Sequence, residues 1–284
     1  MIPSTLFVVI DPTTDDQRAL KRAEQLAVDT GARLHLFCCE YKDDLSAFES
    51  RKDAKQDTLA SARELLERLA QPLRAEGLEV DCEAYWNRDW QSSIIRAATR
   101  TGADLILKSS DAHSYLQRHL RKTSDFSLLR QASCAILLVR NEEPWLEQRL
   151  LAAVTLDTAD PDHDLLNNSI ITEAQRLAKA TQSHLHCVTA IDPNNDIADV
   201  LKLLDSEELS SDEGKVSERF GIDPERVHIQ KGKAIDVIAT AAKDQRVDVL
   251  IIGSVARQGI SAMLLGNTAE KVIDSVDMDI LIVS

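Results

Sequence analysis

The local pattern of this chain occurs twice, and that repetition limits its fold more than any other feature. Arg33 to Cys39 and His184 to Ile191 are matching apolar runs in which Leu34-His35 answers Leu185-His186. Each follows a shorter apolar run, Leu6 to Ile10 ending at Asp11 and Leu150 to Leu156 ending at Asp157, with a helical pattern between the two. Asp44 to Glu76 reads as a long helix with Leu59, Ala62, Leu65, Leu66, Leu69 and Leu73 as its apolar stripe, stopped at Gly77. Glu79 to Tyr85, Leu105 to Leu107 and Cys134 to Arg140 supply further strands of the first half, separated by helices at Trp90 to Thr101 and roughly Asp125 to Gln131. Val227 to Gln230, Val247 to Ile252 and Asp279 to Val283 take the same places in the second half. Strands alternating with helices predict parallel sheets covered by helices on both faces. Five strands per half predict two copies of one α/β domain, residues 1–145 and 146–284, joined near the acidic, Pro144-containing stretch 141–148.

Charge and composition narrow the partners. The chain has 284 residues and a formal net charge of −14. Residues 1–145 carry 20 Lys and Arg against 23 Asp and Glu; the remainder carries 13 against 24. Neither half has a basic face, so nucleic acid is not an expected partner. No run approaches the length of a membrane span, and Met1 to Asp16 has neither the basic residues nor the cleavage pattern of a secretory leader, so a cytoplasmic location is expected. The five cysteines, at 38, 39, 82, 134 and 187, are odd in number and form no CxxC, which suits buried free thiols in a reducing compartment.

Val247 to Ser275 is the stretch richest in chemical signal. Its apolar run ends at Gly253, a loop of small and polar residues follows, and Asn267 with Glu270 three residues on forms a capping box. Strand, glycine-containing loop and helix N-terminus bring backbone N–H groups to a place that suits an anion.

The spacing Gly253, two residues, Ala256, nine residues, Gly266-Asn267 resembles the ATP loop of the universal stress proteins, which reads Gly, two residues, Gly, nine residues, Gly, then Ser or Thr. Ile251-Ile252-Gly253-Ser254, Leu264-Leu265-Gly266 and Ala269-Glu270-Lys271-Val272 match its flanks. Gly259-Ile260-Ser261-Ala262, and Thr123-Ser124-Asp125-Phe126 in the first half, make the tandem E type the closest resemblance. The resemblance implies two domains with strand order 3-2-1-4-5, packed as a pseudo-dimer through the fifth strands, with room for a further homodimer. It implies a non-enzymatic role in survival under starvation, oxidative or DNA-damaging stress, with protein partners left unspecified. It also places ATP, with Mg, in the second domain. There Asp157 would face ribose or adenine and Ala190 would line the adenine. Ile252 and Gly253 would lie under the ribose, Val255 and Ala256 along the phosphates, and Gly266, Asn267 and Thr268 would present N–H groups and a hydroxyl. Two departures, Ala256 for glycine and Asn267 for the hydroxyl residue, support an alternative: a vestigial nucleotide site on a scaffold, or a binder of another small, partly apolar ligand.

In the first half Lys108 is matched with Gly253 and Asp111 with Ala256, and no glycine follows Gly102, so no nucleotide is expected there. Tyr85, Trp86, Trp90 and Phe126 could line a remnant apolar pocket or belong to the core. His184 and His186 share one face of a strand, with His228 a possible neighbour, yet a zinc site needs further ligands to converge. His113 and His119 read as surface residues. GxxxxGK[ST] and GxSxG are both absent, and no carboxylate pair is placed in one cleft, so no catalytic residue and no metal ligand is assigned.

Overall fold

A computed structural model describes residues 3–110, 128, 129, 131–156, 161–191, 206–254 and 267–283. The chain divides into two compact units, Met1–Pro144 and Trp145–Ser284. The expected helix near Asp125 lies mostly outside the described residues.

The first unit contains β1 (Thr5–Val9), α1 (Arg18–Thr30), β2 (Arg33–Glu40), α2 (Arg51–Ala75), β3 (Val80–Trp86), α3 (Trp90–Thr101), β4 (Leu105–Ser109) and β5 (Ala135–Val139). Its strands pair in parallel in the order β3-β2-β1-β4-β5. The second unit contains β6 (Arg149–Ala153), α4 (Pro161–Thr181), β7 (His184–Ile191), α5 (Ser206–Phe220), a 3-10 turn (Pro224–Arg226), β8 (Val227–Lys231), α6 (Ala234–Asp244), β9 (Val249–Gly253), α7 (Asn267–Ser275) and β10 (Asp279–Val283). Its strands are also parallel, in the order β8-β7-β6-β9-β10. Inner strands covered on both faces need continuous apolar runs, and Leu6, Phe7, Val8, Leu150, Leu151 and Leu250 are accordingly buried. Each such side chain contributes about 1.5–3 kcal/mol by leaving water.

The long first-unit helix corrects its expected apolar stripe. Ser50 caps α2 by accepting from the Asp53 N–H, so the helix starts seven residues after Asp44 at Arg51. Ala54, Thr58, Ala62, Leu66, Ala70 and Leu73 are the buried face, while Leu59, Leu65 and Leu69 are half-buried. Small residues every four positions let the helix lie close on β2 and β3, which displaces the larger leucines to its flanks.

One acid stands immediately before the fourth strand of each unit. Asp104 accepts from the Ser4 and Thr5 N–H groups at 2.8 and 3.0 Å; Asp248 accepts from the Arg149 N–H at 3.0 Å. Both therefore hold strand one beside strand four, which fixes the switch point between them.

Candidate functional site

Strand order reverses between β6 and β9, so the carboxyl ends of these strands form the crevice that such sheets offer a ligand. Ile252 and Ser254 are buried there, Gly253 and Ala190 are half-buried, and Thr268 is exposed in the first turn of α7. The Ser254 N–H is already committed to the Val283 carbonyl at 2.7 Å. Asp157, Val255, Ala256 and Gly266 lie outside the described residues, and Asn267 is placed as the first residue of α7.

Gly253 has a neighbour that sequence reasoning missed. A Cβ at this position would stand 2.6, 2.7 and 2.8 Å from Cδ2, Cγ and Cδ1 of Leu166. The branched end of Leu166 thus lies against the glycine backbone, in space a side chain would need. The cause is the length of α4. It has 21 residues against 13 in α1, and both end on a threonine whose hydroxyl returns to the carbonyl four residues back. The extra turns are therefore at the N-terminus of α4, and they carry Leu166 over the end of the sheet. A leucine pair at 165–166 just before the periodic apolar positions of this helix was the available signal.

A second missed pair is a buried amide clamp. Oδ1 of Asn167 accepts from the Thr155 N–H at 3.1 Å, and its Nδ2 donates to the Thr155 carbonyl at 2.7 Å. In the first unit Gln17 does the same to Asp11, at 3.2 and 2.7 Å. A polar amide sited just ahead of the apolar positions of each first helix was the only hint in the sequence.

The clamps and the strand registers correct two sequence matches. The Ile10 N–H reaches the Phe37 carbonyl, and the Val154 N–H reaches the Val188 carbonyl, so Thr155 is the counterpart of Asp11; Asp157 comes two residues later. Likewise Ser110 and Ser254 donate to the ends of β5 and β10, so Ser109, rather than Lys108, is the counterpart of Gly253. The expected match of Asp111 with Ala256 lies outside the described residues. Ladder hydrogen bonds fix the Thr155 and Ser109 offsets, whereas sequence matching followed residue type alone.

The same crevice in the first unit is closed differently. Oγ of Ser109 accepts from the Ala19 N–H at 3.1 Å, capping α1, whose own N-cap residue Gln17 makes no side-chain cap. Oδ1 of Asp11 is spent on Thr13, accepting from its N–H and hydroxyl at 2.9 and 2.6 Å. Lys108 folds back to donate to the Ser109 carbonyl at 3.0 Å, with its ammonium 5.9 Å from the centre of the Trp90 ring. Among the described aromatic residues, Tyr85 and Trp86 do not share a pocket. Tyr85 and Trp86 are consecutive on β3 and face opposite ways; Tyr85 lies 6.4 Å from Phe37, Trp86 packs 4.6 Å from Tyr41, and Phe126 is outside the described residues.

The titratable groups are shaped by burial. Burial pushes the Cys38 and Cys187 thiols up to about 12, so neither offers a thiolate at neutral pH. His184 is exposed, whereas Nδ1 of buried His186 lies 3.1 Å from Nε2 of His228. Among the described residues no group of three or more His, Cys, Asp or Glu could hold a metal ion, and no helix is long and apolar enough to cross a membrane.

Doubled five-stranded parallel sheets, each with a switch point between its first and fourth strands, define a tandem α/β protein with a ligand-type crevice in each unit. The chain belongs to the universal stress protein family, whose model matches residues 4–140 and 162–284. It is 29% identical over 294 residues to universal stress protein E of Escherichia coli strain K12, spanning 98% of this chain and 93% of that protein. A crystal structure of a functionally unknown protein from Pseudomonas aeruginosa PAO1 is 31% identical, with a TM-score of 0.76 over 99% of this chain and 92% of that one. A universal stress protein from Archaeoglobus fulgidus shares the fold, with a TM-score of 0.71 at 17% identity over 98% of this chain and 95% of that one.

Proposed function

We propose that this protein is a cytoplasmic, non-enzymatic stress-response protein, acting under starvation, oxidative or DNA-damaging stress, whose second unit binds a small, partly apolar ligand. The contact of Leu166 with Gly253 carries the reading. A ribose and phosphate chain needs bare backbone to approach, and here the backbone of Gly253 is faced by a branched apolar group, beside buried Ile252. The ligand's apolar part would rest on Leu166, and its polar part would meet the N-terminus of α7.

A second reading, an adenine nucleotide with Mg in the same crevice, is favoured by the spacing of Gly253, Ala256 and Gly266-Asn267 ahead of α7. It requires Leu166 to swing away. Titration with the apolar fluorophore anilinonaphthalene sulfonate separates the two. Saturation at one probe per chain, lost in Leu166→Arg, supports the first reading. An unchanged probe signal in Leu166→Arg would move the ligand elsewhere.

A further inference from the structure

The second and third strands of each unit carry a titratable pair at the same register position. Leu34 lies beside Leu6 as Leu185 lies beside Leu150, so His35 corresponds to His186. Phe37 is paired with Glu83 and Val188 with His228, so Glu83 corresponds to His228. The two pairs are therefore His35–Glu83 in the first unit and His186–His228 in the second.

Their chemistry differs. Nε2 of His35 lies 3.2 Å from Oε2 of Glu83, and Glu83 also accepts from Nη2 of Arg100 at 2.6 and 2.5 Å. A proton added to His35 turns that contact into an ion pair. His186 and His228 meet as two imidazoles, 3.1 Å from nitrogen to nitrogen, with planes 7° apart and ring centres 5.4 Å apart. That centre separation is the nitrogen gap plus two ring radii, so the rings lie edge to edge and nearly coplanar. One ring donates N–H and the other offers its lone pair, which only neutral or singly protonated rings can do. When both are protonated, two N–H groups and two like charges face each other.

The surroundings favour the neutral pair. Burial first, then His228, Arg226 of the 3-10 turn, Arg149 of β6 and His184 of β7, lower His186 to about 4. Burial also lowers His228, against an opposing pull from Glu213 of α5. The residues of α6 buried on its sheet-facing side are Val237, Ile238, Ala241 and Ala242, whereas Asp236, Lys243 and Asp244 are exposed. The counterpart of Arg100 is Asp244, since Ala103 and Val247 bond the equivalent Ala98 and Ala242 carbonyls. The carboxylate–guanidinium pair beside His35 is thus replaced by a histidine and an acid. Among the described residues no third ligand joins the histidines as a metal cluster.

We propose that His186 and His228 form an acid-release latch on β8, the outermost strand of the second unit's sheet, which loosens that strand as pH falls while the matched His35–Glu83 contact holds in the first unit. The sign follows from linkage. His186 binds its proton less readily when latched than when released, so the latched state is favoured above about pH 6.5 and loses ground as pH falls toward 4. Released histidines titrate as ordinary imidazoles, so opening becomes more than about tenfold easier between pH 7 and pH 5.

Hydrogen exchange of the full chain, corrected for intrinsic rates, tests this directly. The amides of Val227–Lys231 are expected to lose more than about tenfold in protection from pH 7 to pH 5, with those of Val80–Trp86 unchanged. His228→Gln, which keeps a neutral hydrogen-bonding partner but removes the second imidazole's charge, should lessen the pH dependence, and His228→Glu, which rebuilds the histidine–carboxylate contact of the first unit, should abolish it. The proposal is overturned if Val227–Lys231 protection is flat in the unaltered protein, or if His228→Gln retains the same loss. Should the variants not fold, ring-nitrogen NMR of the unaltered protein decides. Depressed titration of His186 and His228 supports the latch, and ordinary titration of both near pH 6.5 refutes it.

Discussion

Asn167 holds both the N–H and the carbonyl of Thr155 with a single buried amide, at 3.1 and 2.7 Å. The side chain is 2% exposed and fixes where the chain leaves β6, just ahead of the crevice. Asn167→Asp keeps the acceptor but turns the donor into a second oxygen facing the Thr155 carbonyl. We expect it to cost about 1–3 kcal/mol, read as a shift in denaturant midpoint with unchanged slope. Gln17→Glu in the first unit should behave alike, and a neutral result in either would show that the clamp is dispensable.

The Leu166–Gly253 contact predicts a coupled pair. Gly253→Ala places a methyl within 2.6–2.8 Å of three Leu166 atoms, so the leucine must change rotamer, at about 1–3 kcal/mol. In a Leu166→Ala background the same change should cost much less. A double-mutant cycle measures the difference, and additivity within about 0.5 kcal/mol would mean that the two residues do not compete for space.

Helix ends offer a gain in stability. Gly31 and Gly102 end their helices at φ 71° and 65°, but the corresponding residues of the second unit are Gln182 and Arg246, at φ 53° and 48°. A side chain in this left-handed conformation costs about 1–2 kcal/mol, of which glycine's extra chain entropy returns a part. Gln182→Gly and Arg246→Gly are each expected to stabilise by about 0.5–1 kcal/mol, read in thermal or chemical unfolding. Destabilisation would mean that the side chains make contacts worth more than the backbone strain.

Thiol reactivity should follow burial. Cys38 and Cys187, raised to about 12, should resist an aromatic disulfide reagent in the native state at pH 8 and react after unfolding, whereas exposed Cys82 should react first. Rapid native labelling of Cys187 would contradict its place in the core.

Much of the fold was legible because parallel strands buried on both faces announce themselves as apolar runs, and β10 was readable to the residue, from Asp279 to Val283. The buried side of α2 was legible at Ala62, Leu66 and Leu73 but not at Ala54, Thr58 and Ala70, because leucine outweighs small residues in a periodicity argument while a closely packed helix uses them at the contact. The crevice was legible as a place, but its neighbours from other elements were not. Gly253 suggested bare backbone beneath a ribose, and the branched end of Leu166, eighty-seven residues earlier in the chain, lies against that backbone, a neighbour that no spacing rule connects to it. The slips from Thr155 to Asp157 and from Ser109 to Lys108 arose because matching by residue type favoured an acid and a charged residue, and only ladder hydrogen bonds fix the count.

The most direct test of the central claim is calorimetric titration of the full-length protein with Mg-ATP, after any co-purifying nucleotide has been removed. With Leu166 over Gly253, the account predicts no saturable heat and no thermal stabilisation by Mg-ATP. Binding of one Mg-ATP per chain, abolished by Gly266→Arg, would contradict it and assign the crevice to an adenine nucleotide.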